Sequence, residues 1–345
     1  MKPRISICIP TYNRSRHLSN CLNSIILNKN ISNLNIQICV SDNCSTDDTE
    51  KVVCLAQREI DIEYQKNEEN IGMSRNFLNV VNMAQGEFVW LIGDDDLLMP
   101  SALIELEEMI DNNPGVDFFY TNSFHLTVEE IFSYPQPFDT KFLPIKMDKF
   151  SLWREKGQMD FLELINPKIS FDFLGGIFLY VFKRDNWLKN SDVLDNDALY
   201  DVRVFSHFDN TFPQIKIFAK GFSQSKAYFN PDPLSVCLSG AREWAPMYPL
   251  IRSIRLLEAL NEYRKNGLPY IKYWKYRNIA LSNFIPDLGY MSVHKNKSGY
   301  KYIKPLNLIL SNCLYPGFYW SFFKYLIRKT KEFFTKTKEF FTMKF

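Results

Sequence analysis

The 345-residue sequence predicts an α/β fold: a mostly parallel sheet flanked by helices, with a helical C-terminal extension. Two observations carry that prediction. Strand-like runs begin near residues 5, 36, 61 and 88, and helical patterns separate them. A repeat of roughly 30 residues is the size of a βαβ unit, and parallel strands joined by right-handed crossovers follow from it. The fourth run, Phe88-Val89-Trp90-Leu91-Ile92, is apolar at every position between Gly86 and Gly93. Such a run is expected of a strand buried on both faces.

The elements follow in order. Ile5 to Ile9 is a first strand ended by Pro10, and a helix from about Arg14 places Leu18, Cys21, Leu22, Ile25 and Ile26 on one face. Ile36 to Val40 is a second strand that runs into Ser41-Asp42-Asn43. Ser45 or Thr46 is expected to cap a second helix, with Asp47 and Asp48 in its first turn, where the helix dipole favours acids. Asp61 to Gln65 is a weaker strand, and Ser74 to Ala84 is a helix turning Phe77, Val80 and Val81 inward. Pro100 opens a helix carrying Leu103, Leu106 and Ile110, and Val116 to Tyr120 reads as a fifth strand. Residues 122 to 174 are aromatic and irregular. Gly175 to Phe182 reads as a further strand, Phe212 to Ala219 as a helix stopped by Gly221, and the chain from about Ala245 as mainly helical.

Composition bounds the function. Hydrophobic content of 46% and charged content of 23% belong to a globular chain with a large core. A net charge of +2 gives no reason to expect nucleic acid as a partner. The seven cysteines include no CxxC pair and no Cys/His spacing for zinc, and Cys8 and Cys39 inside strands predict buried thiols of a cytosolic protein. The apolar run before Pro10 spans five residues, too short for a signal peptide, and no stretch approaches the 18 uninterrupted apolar residues of a spanning helix. The expected location is cytoplasmic.

Chemistry concentrates at strand ends, where open α/β sheets bind ligands. Asp94-Asp95-Asp96 follow the fourth strand directly. Adjacent carboxylates repel and cost desolvation, which a divalent cation such as Mg²⁺ or Mn²⁺ with substrate phosphates relieves. A solvated acidic turn before a helix accounts for the same residues. No G-x-G-x-x-G follows the first strand, which argues against a dinucleotide enzyme. Asp42 either accepts hydrogen bonds from a ribose hydroxyl or base N–H, or closes an Asx turn. Asn70-Ile71-Gly72-Met73-Ser74-Arg75-Asn76 starts a helix whose free N–H groups favour anions, and Arg75 is either a phosphate clamp or an ordinary surface arginine.

The ordered set Pro10-Thr11-Tyr12-Asn13, Ser41-Asp42-Asn43-Cys44-Ser45-Thr46-Asp47, Asn70-Ile71-Gly72 with Arg75-Asn76, and Gly93-Asp94-Asp95-Asp96 resembles the family 2 glycosyltransferases of GT-A fold, the bacterial O-antigen and capsule type above all. The resemblance is strong over residues 4 to about 120 and loose to about 240. It implies a Rossmann-like GT-A domain over 1–240, with a nucleotide-sugar half (1–120) and an acceptor half (121–240), then a helical region over 241–345. It further implies an inverting transfer from a nucleotide-sugar to an acceptor hydroxyl. By position, Pro10, Thr11, Tyr12, Asn13, Asp42, Asn70, Gly72, Arg75, Asp94 and Asp95 would contact the donor. Asp96, with Asp94, would hold a divalent metal. Many relatives carry an acid where this chain has Gly93, which leaves Asp94, Asp95 and Asp96 all open as ligands.

Inversion needs a general base. Relatives place a Glu-Asp pair ahead of a helix that ends in Gly, and the matching segment, Ser206-His207-Phe208-Asp209-Asn210, lacks the Glu. Asp209 is the expected base, with N-capping as its structural alternative and His207 and Asp201 in reserve. Gly175 and Gly176 match an acceptor-side strand where small residues leave room for a sugar. The Gln-x-x-Arg-Trp motif of processive relatives is absent, so one sugar per encounter is expected.

At the C-terminus Lys329 to Thr335 recurs identically as residues 336 to 342, and residues 321–345 hold seven Lys/Arg against Glu332 and Glu339. A seven-residue repeat in a helix aligns Phe333/Phe334 with Phe340/Phe341 on a stripe continuing Phe322/Phe323 and Leu326/Ile327. A basic helix with that stripe suits an anionic membrane surface, here the inner face of the plasma membrane, near a lipid-linked acceptor; a coiled-coil pair or packing on the chain's own core are the alternatives. Two rival functions stand beside the transferase. A sugar-nucleotide-forming nucleotidyltransferase needs a Gly-rich, Arg-containing loop that Pro10-Thr11-Tyr12 is not, and a non-catalytic glycan-assembly subunit would have no use for the Asp triplet.

Overall fold

The computed structural model describes residues 2–30, 34–240 and 244–342. The chain divides into two compact units, Met1–Glu243 and Trp244–Phe345.

The first unit alternates as the repeat predicts: β1 (Ile5–Thr11), α1 (Ser15–Asn30), β2 (Ile36–Asp42), α2 (Thr49–Ala56), β3 (Glu63–Lys66), α3 (Met73–Met83) and β4 (Phe88–Leu91). Then come β5 (Leu97–Leu98), α4 (Ala102–Asp111), β6 (Val116–Tyr120), β7 (Ser123–Thr127), α5 (Val128–Phe132), β8 (Asp148–Lys149), β9 (Gly157–Asp160) and β10 (Tyr180–Lys183). Short helices α6 (Arg184–Leu188) and α7 (Asn196–Tyr200) precede α8 (Pro213–Gly221), β11 (Lys226–Phe229) and β12 (Ser235–Ser239).

The main sheet has eight strands in the order β3-β2-β1-β4-β10-β6-β11-β9. β1 pairs in parallel with β2 and β4, β2 with β3, and β6 with β11. β10 runs antiparallel between β4 and β6, and β9 antiparallel on the β11 edge. The sheet is therefore mixed and mostly parallel. The chain crosses from β3 over β2 and β1 to β4, so β1 and β4 diverge into opposite halves and open a crevice beyond their carboxyl ends. A second sheet, β5-β12-β7-β8, starts directly after the Asp triplet and packs on Leu97, Leu126, Ile131, Phe138, Val236 and Leu238.

Aromatic residues fill the core of the far half. The Phe118 ring lies 4.9 to 5.5 Å from those of Phe161, Tyr180, Phe218 and Phe222, three of them edge-on. Edge-to-face contacts of this kind add to the burial of each ring.

Several expectations need correction. β1 continues through Pro10 to Thr11, because Pro10 pairs in register with Ser41 without needing to end the strand. Asp47 precedes α2 and does not sit in its first turn: its Oδ1 accepts from Thr49 N–H (3.1 Å) at the start of α2 and its Oδ2 from Ser15 N–H (2.9 Å) at the start of α1, so it serves both helices. Neither Ser45 nor Thr46 caps α2; Asp48 occupies that position. In α3, Phe77 is half-buried while Ser74 and Asn76 are buried, because the inward face meets polar loops. Gly175 to Leu179 is a turn with a short 3-10 segment, and the strand starts only at Tyr180. A Cβ at Gly175 would stand 3.0 Å from the Phe212 ring, so protein occupies the room reserved for a sugar there. β5, β7, β8, β9, β11 and β12 escaped sequence reading, being two to five residues long and partly polar.

The second unit holds helices Leu256–Lys265, Tyr270–Ala280, Phe284–Val293, Pro305–Asn312 and Pro316–Thr342. Leu257, Leu281 and Phe284 form its core, with Leu308, Ile309 and Phe318 packed against them. The side chains of the repeated tail segment, Phe333, Phe334, Phe340 and Phe341 among them, lie outside the described residues. No helix among the described residues is long and apolar enough to cross a membrane.

Phe118→Ala removes a fully buried ring from the centre of the aromatic cluster. It is expected to cost about 3–5 kcal/mol in chemical denaturation, the range for truncating a buried Phe. A loss under about 1 kcal/mol would mean that the cluster closes over the gap or packs more loosely than described.

Candidate active site

The crevice between β1 and β4 is built from four loop segments that hold one another. β1 ends in Thr11, and its hydroxyl donates to Asp94 Oδ2 at 2.8 Å across the switch point. Arg14, just before α1, places one guanidinium nitrogen 3.4 Å from Asp94 Oδ1 and another 3.0 Å from Asp95 Oδ2. All three carboxylates of the triplet are buried. Burial and the neighbouring Asp95 raise the Asp94 pKa to about 7, against the opposing pull of Arg14, the Thr11 hydroxyl and the Tyr12 N–H.

Asp96 is placed differently. Its Oδ2 accepts from Gly93 N–H at 2.7 Å, closing the turn that carries the triplet. That turn also explains the glycine before it. A Cβ at residue 93 would stand 2.7 Å from Asp95 Oδ1 and 3.0 Å from Asp96 Oδ2, so any larger residue here would push on the carboxylates of the triplet. Asp94 and Asp95 are thus the pair beside Arg14. Among the described residues no three His, Cys, Asp or Glu side chains converge as a self-sufficient metal cage. The donor set still fits a Mg²⁺ or Mn²⁺ that takes most of its ligands from phosphate and water: hard carboxylates, buried, with more negative charge than Arg14 balances.

β2 delivers Asp42 fully buried, with Oδ1 accepting from Ser45 N–H (2.8 Å) and Oδ2 from the Tyr64 hydroxyl (2.7 Å). Asp42 thus holds its own loop through the N–H three residues on, not the two-residue bond of an Asx turn, and Tyr64 is an additional partner. Burial and Asp42 push the Tyr64 pKa up, so the hydroxyl stays protonated as donor.

The loop motifs are tied together by asparagines. Asn13, at φ 53°, accepts from Thr46 N–H (2.7 Å), and its own N–H donates to Ser45 Oγ (2.8 Å). Asn43 donates to Asn70 Oδ1 (2.8 Å) and accepts from Ile71 N–H (2.9 Å), and Asn70 Oδ1 also takes Gly72 N–H (2.9 Å). Asn76 accepts from Ser41 Oγ (2.7 Å) and donates to the Ser41 carbonyl (2.9 Å). Gly72, at φ 85°, starts α3 where a Cβ would touch Val202 at 3.5 Å. Arg75 stacks its guanidinium 4.3 Å from the Tyr200 ring centroid. Tyr12 is 42% exposed at the mouth of the crevice.

The segment of the expected base reaches this site through Ser74, whose hydroxyl donates to the Asn210 carbonyl at 2.8 Å. Asp209 is fully buried. Its Oδ2 accepts from Lys216 Nζ and from Asp195 N–H, both at 2.7 Å. Asp209 Oδ1 has no hydrogen-bond partner among the described residues. Asp209 does not cap α8, whose N-cap is Phe212. Asp201 is held by Arg203, with hydrogen bonds of 2.8 and 2.6 Å, and by Ser206 at 2.6 Å, which drives its pKa well below the usual carboxylate range. His207 Nδ1 accepts from Asp209 N–H at 3.3 Å.

The structure thus brings Thr11, Tyr12, Asn13, Asp42, Asn70, Gly72, Asp94, Asp95 and Asp96 into one connected loop cluster. Sequence reasoning gave no role to Arg14, Tyr64 or Lys216. Arg14 had a signal, because it follows the Pro-Thr-Tyr-Asn run directly. Lys216 had one too, as a lone cation between the isoleucines of an otherwise apolar helix start.

The profile for glycosyl transferase family 2 matches residues 6–174. The abequosyltransferase RfbV of Salmonella typhimurium is 42% identical over 114 residues, 32% of this chain and 34% of that protein. The GalNAc(5)-diNAcBac-PP-undecaprenol beta-1,3-glucosyltransferase of Campylobacter jejuni is 38% identical over 106 residues, 30% of this chain and 33% of that protein. The matched segments thus span about a third of these relatives' length. Among solved structures, Staphylococcus aureus TarS 1-349 in complex with UDP superposes with a TM-score of 0.53 at 15% identity, covering 82% of this chain and 72% of that one. The mannosyltransferase PcManGT of Pyrobaculum calidifontis, in complex with GDP-Man and Mn²⁺, gives 0.51 at 14% identity, covering 93% and 84%. These likenesses fix the fold as that of GT-A enzymes. With a β1/β4 switch point carrying a buried Asp triplet, and a profile match running from the first strand through the triplet, residues 6–174 are a glycosyl transferase family 2 domain.

Proposed function

We propose that this protein is an inverting, non-processive glycosyltransferase that moves one sugar from a nucleotide-diphospho-sugar to a hydroxyl of a lipid-linked surface-glycan acceptor. The observation that carries this reading is the group of buried carboxylates at the β1/β4 switch, held by Thr11 and Arg14 but not neutralised by them. A nucleoside diphosphate with a divalent cation supplies the missing positive charge and the phosphate ligands together. The abequosyltransferase among the relatives supports sugar transfer, and the Campylobacter jejuni relative, named for an undecaprenol-linked glycan, supports the acceptor class.

In this reading Tyr12 offers its exposed ring to the nucleobase, and the Asn43–Asn70 link holds the α3 start toward the donor. Mg²⁺ or Mn²⁺ would be held by Asp94 and Asp95, with Asp96 as the anchor of their turn. When bound, the cation would stabilise the charge that develops on the departing diphosphate. Asp209 is the general base. Oδ2 is fixed by Lys216 and Asp195 N–H, so Oδ1 is the oxygen left to accept the proton of the acceptor hydroxyl. Asp201 is a poor base for the opposite reason, because Arg203 and Ser206 hold it ionised. Asp209 is buried, so the acceptor reaches it only when the segment above it shifts.

Three outcomes test the reading. Asp95→Asn is expected to lower transfer by about 10²–10³-fold and to remove the Mn²⁺-dependent rise in melting temperature. Asp96→Asn, which still accepts from Gly93 N–H, should keep that rise; the reverse pattern would return the metal to Asp96.

The raised Asp94 pKa sets a pH dependence. A cation competes with the proton on Asp94, so Mn²⁺ affinity should weaken as pH falls through about 7. Without metal the sign is opposite. The folded state keeps a proton that the unfolded chain loses near 3.8, so this group's stabilisation is lost as pH rises from 3.8 to about 7. Asp94→Asn should flatten both slopes, measured by calorimetric titration and by thermal melts.

Asp209→Asn should abolish transfer and leave donor affinity within about twofold, since the residue acts on the other substrate. Because it also strips Lys216 of its partner, the double variant Asp209→Asn/Lys216→Met controls for folding. Near-normal turnover in either variant would move the base to His207. Release of pyrophosphate from a nucleoside triphosphate and a sugar phosphate would instead identify a nucleotidyltransferase.

A further inference from the structure

We infer that the outward face of the last two helical segments of the second unit, residues 306–327, is a docking surface for an anionic lipid membrane. The helix Pro316–Thr342 packs inward through Gly317, Phe318, Ser321 and Tyr325. Gly317 N–H donates to Asn278 Oδ1 at 2.7 Å, and a Cβ there would stand 2.3 Å from the Asn278 carbonyl. Ser321 Oγ accepts from Ile285 N–H at 2.8 Å, and the Tyr325 ring lies against Gly289. The seam thus mixes Gly317 and Ser321 with the Phe318 and Tyr325 rings, and the other large apolar side chains of this stretch are exposed. Trp320, Phe323 and Ile327, spaced for one face of the helix, are all exposed. The preceding helix does the same. Leu308 and Ile309 enter the core, while Leu306, Leu310 and Leu314 are 75%, 70% and 86% exposed.

Charge selects the occupant. Between Asp287 and Glu332 the sequence has no acidic residue and eight basic ones, Lys295, Lys297, Lys301, Lys304, Lys324, Arg328, Lys329 and Lys331. Six of these are exposed among the described side chains. Lys324 Nζ stands 5.8 Å from the Trp320 ring, whose centroid is 5.8 Å from that of Phe323. Aromatic rings beside a lysine, exposed leucines and a run of exposed lysines free of acids in the sequence are what the headgroup region of an anionic bilayer accepts. A protein partner of ordinary charge balance would leave those lysines without counter-charges. The inference deepens the lipid-linked acceptor of the proposed function, but it is read by vesicle binding alone, so it fails or stands independently of transfer.

The test is co-sedimentation of the full chain with phosphatidylcholine vesicles, with and without about one-third phosphatidylglycerol. The parent is expected to bind the anionic vesicles about tenfold or more tightly than the neutral ones. Leu306→Gln/Leu310→Gln/Leu314→Gln and Trp320→Gln/Phe323→Gln are each expected to lose about tenfold or more, with unchanged melting because the sites are exposed. Lys301→Gln/Lys304→Gln/Lys324→Gln should lose the preference for anionic lipid. Ile145→Gln/Leu152→Gln, at exposed sites in the first unit, should bind as the parent does. Face variants that bind like the parent, or a control that loses binding equally, would overturn the inference. So would a parent that leaves vesicles unbound and self-associates through this face, which would assign it to a second copy of the chain.

Discussion

Three consecutive carboxylates buried at the end of a core strand are the constraint around which the first unit is arranged. Each costs desolvation, and their mutual repulsion adds to it. The fold meets that cost from three sides. Thr11 donates from the neighbouring strand, Arg14 spans Asp94 and Asp95 from the start of α1, and Gly93 N–H closes on Asp96. None of these partners lies on β4, so the triplet can sit there only if β1 is its neighbour and α1 begins where it does. The strand order 3-2-1-4 is therefore a requirement of the site as well as a property of the fold. Burial first, and the Asp95 charge after it, appear as the raised pKa of Asp94, and in the proposed reading a cation with a diphosphate would relieve both.

The polar loops around this point show a second economy. Residues expected to reach for a donor spend much of their hydrogen-bonding capacity on one another: Asn13 on Thr46, Asn43 on Asn70, Asn76 on Ser41, and Asp42 on Ser45 and Tyr64. This does not remove them from function. A loop whose asparagines are already paired presents its remaining N–H groups and rings in a fixed geometry, and a fixed geometry loses less entropy when a ligand binds. The Asp209 carboxylate follows the same logic, with one oxygen fixed by Lys216 and Asp195 N–H.

The legible parts of the sequence were those set by local periodicity. Strands β1 to β4 and β6 and helices α1, α3 and α4 lie within a few residues of their predicted places, because a buried parallel strand needs a continuous apolar run and its crossover helix an apolar face. The second sheet was not legible. β5 and β8 are two residues each, and their pairing is decided by partners far along the chain; the same holds of β9, the polar edge strand of the main sheet. Gly175 and Gly176 show the same limit at the level of a motif. Their smallness was readable, but whether a sugar or the Phe212 ring fills the space is fixed by tertiary packing. Arg75 differs again: its charge was readable, whereas its contact with Tyr200 depends on α7 folding back over α3.

The second unit has an ordinary core of leucine and phenylalanine, but part of its last helix departs from the usual relation between size and burial. Hydrophobic burial favours large apolar side chains in a seam and small or polar ones outside it. Along Pro316–Thr342 the seam positions are Gly317, Phe318, Ser321 and Tyr325, and Trp320, Phe322, Phe323, Leu326 and Ile327 are turned outward. Close approach explains half of this, since helices that cross backbone to backbone need glycine or serine at the crossing. It cannot explain the outer half, because nothing about a tight seam requires an aromatic exterior. An exterior of this kind in water is a cost that a chain of otherwise ordinary composition carries only where another medium covers it. The acid-free, lysine-rich sequence around that exterior is the observation from which we infer a medium that is apolar within and negative at its surface.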